Sequence, residues 1–143
     1  MTISGEAREV ALAEAQAVLA SGGERFAPLV AAIDAGELEL EDEPLLEGLL
    51  ELGLQTGRIR AYYGPGGEQA AIATLRKLPR GRERAESARD VSAALHALAG
   101  RNLEAVKIAA VAPGAFTLSI EADGVEASIR LDGSGARLTS IGT

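Results

Sequence analysis

Near residue 105 the spacing of apolar residues changes from every third or fourth position to every second. Helices place neighbouring faces 3.6 residues apart and strands alternate faces, so this switch divides the chain into two kinds of structure. After it, Val106, Ile108 and Ala110 alternate with Lys107 and Ala109, and Phe116, Leu118 and Ile120 alternate with Thr117, Ser119 and Glu121. Val125, Ala127, Ile129 and Leu131 alternate with Glu126, Ser128 and Arg130, and a last strand is expected over Ala136 to Ile141. Asp123-Gly124 is a two-residue hairpin signal, and Asp132-Gly-Ser-Gly135 suits a four-residue hairpin. Alternation of this kind gives one dry and one wet face, the mark of an antiparallel sheet.

Before the switch the pattern is helical. Ser4 is placed to cap a helix reaching about Ala20, and Ser21-Gly22-Gly23 ends it. A second helix is expected over Glu24 to Ala35, with Gly36 closing it. Glu37 to Glu43 reads either as a short extended piece or, through Asp42 and Pro44, as the start of a third helix running to about Gln55. Gly48 and Gly53 inside that helix each cost roughly 1 kcal/mol against alanine, so a close neighbour is expected there. A short helical turn through Tyr63, a helix from about Gly67 to Leu78 and a last helix over Arg82 to Ala99 follow. Pro79 to Arg84 reads as an exposed break. A four-stranded sheet cannot hide its own apolar face, so helices must lie across it. The expectation is one α+β domain over residues 1–143, with a helical half at 1–100 of about five helices packed on one face of a four-stranded antiparallel meander at 105–141.

Composition narrows the chemistry. With 143 residues, 47% apolar and 24% charged, the chain has material for one real core. It has no cysteine and one histidine, which excludes disulfide scaffolds, thiol nucleophiles and imidazole-rich metal sites. No apolar run approaches the roughly 20 residues that span a bilayer. The first nine residues lack the basic-then-apolar pattern of a secretory signal. The expectation is a cytoplasmic protein with no membrane partner and no cofactor.

The formal net charge of −7 is unevenly spread: −10 over residues 1–57, +5 over 58–101 and −2 over 102–143. Such lobes either face solvent or steer one subunit onto another or onto a partner. Nucleic acid is not an expected partner, because two tyrosines and two phenylalanines offer little stacking and the overall charge repels phosphate.

Four segments are candidates for chemistry. Tyr63-Gly-Pro-Gly-Gly-Glu68 enters a helix through a glycine-rich turn, where free amides at Gly66 and Gly67 suit an anion, and Arg58, Arg60, Tyr62 and Tyr63 lie beside it. It is neither a Walker loop nor a dinucleotide fingerprint, and the plain reading is a tight corner between helices. Arg76, Lys77, Arg80, Arg82 and Arg84 form a basic stretch fit for an acidic partner. Glu37, Glu39, Glu41, Asp42, Glu43 and Glu47 offer oxygens that suit a hard cation but lack a binding-loop pattern, and read as a solvated helix start. His96 stands one turn after Ser92 without the strained elbow a nucleophile needs, and reads as a helix-flank histidine.

Two functional expectations stand. One is a non-catalytic accessory or assembly module, self-associating or docking on another protein. The other is a binder of a small acidic ligand, or a cofactor-independent enzyme, with a pocket between helices and sheet gripped by Arg58, Arg60, Tyr62 and Tyr63.

Overall fold

A computed structural model describes all 143 residues. Five helices precede a four-stranded antiparallel sheet, the α+β order expected from the change of period. The chain forms two compact units, Met1–Arg82 and Glu83–Thr143.

The first unit holds α1 (Gly5–Ala20), α2 (Ala27–Ala35), α3 (Glu43–Gln55), α4 (Arg58–Leu75) and the first turn of α5 (Pro79–Leu95). Its core buries Val10, Ala11 and Ala15 from α1, Leu29 and Ile33 from α2, and Leu46, Leu49 and Leu50 from α3. The extended residues before α1 pair with those after α2. Ile3 N–H donates to Gly36 O (3.0 Å), and Leu38 N–H donates to Met1 O (2.8 Å). Both readings of the 37–43 segment therefore apply in part, with Glu37 extended and bridged to Thr2 and the helix opening at Glu43.

Three local expectations are corrected. Ser4 occupies the N-cap position of α1, but its hydroxyl makes no capping bond. The loop expected at Gly64–Gly67 shrinks to one residue. Gly64, at φ 71° and ψ −174°, kinks a helix that resumes at Pro65 and ends at Leu75. Proline tolerates that position because the amide it lacks has no partner in a first helical turn.

The break expected at Pro79–Arg84 is instead the opening of α5. Pro79 starts the helix, and the amide of buried Gly81 donates to Glu47 Oε1 (3.0 Å). Arg80 Nε lies 3.4 Å from Glu47 Oε2. A carboxylate on α3 thus satisfies the helix start from outside, a partner that local sequence does not reveal.

In the second unit α5 continues to Leu95, a 3₁₀ turn follows over His96–Leu98, and the strands are β1 (Leu103–Ala112), β2 (Ala115–Ala122), β3 (Val125–Asp132) and β4 (Gly135–Gly142). They pair in chain order, each antiparallel to the next. Asp123 and Gly124 both take positive φ, 45° and 75°, as a two-residue turn matched to strand twist requires. Asp132 pairs with Gly135, so the last hairpin has two loop residues rather than four. Asp132 anchors it, accepting from the Ser134 hydroxyl and amide and from Arg130 and Arg137. These donors, Ser134 foremost, hold its carboxyl well below the usual carboxylate range.

A side chain at Gly81 would collide with the backbone at the end of α4. A Cβ there would stand 1.7 Å from Leu75 O. Gly81→Ala is expected to lower stability by about 3 kcal/mol, read from urea unfolding, because the backbone must move apart and strain the Glu47 bond. An unchanged midpoint would contradict this packing.

Candidate functional site

Register turns the alternation of the strands into a surface. Val106, Ile120, Ala127 and Ile141 form one row across the sheet, and Ile108, Leu118, Ile129 and Leu138 form a second. Ala110, Phe116, Leu131 and Ala136 form a third. Every member is apolar. The opposite face carries Lys107, Ser119, Ser128 and Ser140 in one row and Ala109, Thr117, Arg130 and Arg137 in another.

The apolar face is covered unevenly. Val91 of α5 is buried, Ser87 Oγ donates to Ala136 O, and Arg84 Nε donates to Gly133 O (3.1 Å), which tie the helix to β4 and the β3–β4 turn. Ala127 and Ile129 are buried in the middle of the sheet. On β4 Ile141 is 38% exposed, and on β1 and β2 Val106 is 53% exposed, Ile108 64% and Phe116 41%, with Leu103 beside them 65% exposed. Large β-branched and aromatic chains on one dry face are left in water at this edge.

A second feature lies among the helices. Glu14 of α1 is 4% exposed, and its carboxylate accepts from Tyr63 Oη (2.8 Å) and from Arg58 Nε (3.1 Å to each oxygen). A buried carboxylate needs such partners, since an unpaired charge there would cost several kcal/mol. Gly53 makes room for it: a Cβ at that position would meet Ile59 at 2.7 Å and Glu14 Oε2 at 3.4 Å. The expected close neighbour of α3 is therefore real at Gly53, whereas Gly48 meets nothing nearer than Arg80 at 4.0 Å.

The Glu14 bond and its charge raise the pKa of Arg58. Burial first, then donation to Glu14, pushes the Tyr63 phenol up to about 12. The Arg58 guanidinium also lies over the Tyr62 ring, 4.8 Å from its centroid. Beside this cluster a groove of about 380 Å³ runs between α1 and α3, lined by Glu14, Val18, Leu49, Leu52 and Arg58 among others.

The candidates from sequence are thus distributed. Arg58, Tyr62 and Tyr63 are brought together around Glu14, and of these only Arg58 lines the groove. Arg60 turns to Glu68 (3.2 Å). Gly66 lies against the Glu6 carboxylate, where a Cβ would be 3.0 Å from Oε1, and Gly67 packs on Tyr63 and Val10. In the basic stretch, Arg80 is paired with Glu47 and Glu51, and Arg84 is bonded to the β3–β4 turn. Arg76, Lys77 and Arg82 are exposed.

The acidic run is not uniformly solvated. Glu47 is 1% exposed and Glu43 5%, and Glu43 Oε2 has no hydrogen-bond partner. His96 is exposed. Sequence reasoning missed Glu14 and Glu47 as buried partners because both sit among other acids on helices. The one available signal was Gly53, a glycine inside a helix that marks a close approach.

Tyr63 supplies a direct check. Its folded-state pKa exceeds the ordinary value of 10.0, so the stability it adds is complete below pH 10 and is lost as pH rises toward about 12. Ultraviolet titration is expected to show a phenolate transition near pH 12 that Tyr63→Phe lacks. At neutral pH, Tyr63→Phe should cost about 2 kcal/mol, because a buried carboxylate loses one donor. A Tyr63 transition at pH 10 would contradict the Glu14 contact. No known protein family, curated protein or solved structure matches this chain.

Proposed function

We propose that this protein is a non-catalytic assembly module that associates with a second copy of itself through the β1–β2 half of its apolar sheet face. The observation that carries the reading is the three uncharged rows, with Val106, Ile108 and Phe116 left exposed at one end. A sheet with one dry face needs a second layer, and α5 is tied to the β4 side.

Several features favour a copy of the same chain as that layer. The exposed chains present on the order of 500 Å² of apolar surface, at the upper end for a monomer and most of the roughly 800 Å² a partner gives to a stable interface. A two-fold axis lets each chain offer the same patch to the other. No charged side chain lies in the three rows, so close approach puts no like charges in contact there even though each chain carries −7. The strand at this edge, β1, is ten residues long, contains no proline and bears only Glu104 and Lys107 as charges. Monomeric proteins usually blunt such an edge more heavily.

Sedimentation and light scattering at tens of micromolar are expected to give a dimer. Because the two chains repel at long range, association should strengthen as salt rises to roughly 0.5 M. Val106→Asp with Ile108→Asp should give a monomer whose far-ultraviolet circular dichroism is unchanged. A wild-type chain that stays monomeric throughout, or a double variant that still dimerises, would overturn the reading.

A further inference from the structure

We infer that the groove between α1 and α3 binds a small amphiphile with one carboxylate, its head on the Arg58 guanidinium and its apolar body on Leu49 and Leu52. The site lies wholly within the helical unit and does not depend on the sheet face. Three observations lead to it.

The first is an unspent donor set. Arg58 uses only Nε in hydrogen bonding to Glu14, and its two terminal nitrogens bond no protein group. The side chain is 44% exposed, and the Tyr62 ring supports one of its faces. Glu14 and Tyr62 therefore hold the guanidinium in place while its outer fork, which matches a carboxylate with two parallel hydrogen bonds, faces outward.

The second is an apolar floor beside that fork. Leu52 is 60% exposed, a large aliphatic chain in water, and with Val18 and Leu49 it lines the cavity of about 380 Å³. A volume in this range suits a small organic molecule.

The third is the state of the acid. Glu14 is 4% exposed and already accepts from Tyr63 and Arg58, so a cationic ligand would have to compete with a guanidinium that is in place. The available charge at the groove is the positive one. The start of α4 reaches the groove through Arg58, so binding rests on one charged contact and one greasy wall.

The test titrates the full chain with decanoate, followed by calorimetry and amide nuclear magnetic resonance. Saturable shifts are expected at Ala17, Val18, Leu52 and Gly53, with 1-decanol binding about tenfold more weakly for want of the charged pair. Arg58→Lys keeps the charge and loses the fork, and should weaken decanoate severalfold. Leu52→Glu, at an exposed position, should abolish binding without altering circular dichroism. The Val106→Asp, Ile108→Asp variant should bind decanoate as wild type does, which separates this site from self-association. Equal affinity for decanoate and decanol, shifts confined to other residues, or no saturation by millimolar decanoate would overturn the inference. Binding to anionic vesicles without saturable binding of decanoate would also overturn it.

Discussion

A dry face on a small sheet is the demand around which the second unit is organised. Twelve side chains in three rows, from Val106 and Ile108 at one edge to Leu138 and Ile141 at the other, are all apolar and all on one side. One helix is tied to β4 by Ser87 and to the neighbouring turn by Arg84, and the β1 ends of the first two rows stay wet. Burial of such chains is worth about 25 cal/mol for each Å² withdrawn from water, so an uncovered half-face is a standing drive toward association. That drive is undirected. In the proposed self-association, direction comes from the absence of charge in the rows and the two-fold match of a surface with itself.

The helical unit is organised by a different constraint, the satisfaction of buried carboxylates. Glu47 meets Gly81 and Arg80, and Glu14 meets Arg58 and Tyr63. In both cases an acid from the negative first third of the chain is answered by a base from the positive middle. The lobed charge that suggested a steering surface is therefore partly spent inside the unit, where pairing also positions side chains. Arg58 illustrates the result: Nε is spent on Glu14 while the two terminal nitrogens make no bond to the protein.

Much of this was legible in the sequence, and the boundary between what was and was not is physical. Period located the strands, the first three helices and the composition of both sheet faces, and the Asp-Gly pair marked the turn at 123–124, because these depend on neighbours a few residues away. Pro79-Arg80-Gly81 misled for the complementary reason. Proline and glycine signal a break only if nothing distant satisfies the backbone, and here Glu47, 34 residues earlier, does so. Arg58, Tyr62 and Tyr63 come together while Arg60 turns away to Glu68, yet the centre of the group, Glu14, lies 44 residues from Arg58 and looked like any surface acid of an amphipathic helix. How far α5 would extend across the sheet was likewise invisible, since alternation says which side is dry and nothing about what shelters it.

The bare strand at the sheet margin has a consequence for how such a protein survives in a crowded solution. Ten residues of unshielded backbone beside greasy side chains form a template on which unrelated chains can stack. A surplus of seven negative charges works against that hazard, because same-sign molecules seldom linger together unless their surfaces fit. Acidity here acts as a filter on encounters, discouraging random adhesion while leaving a well-matched contact available.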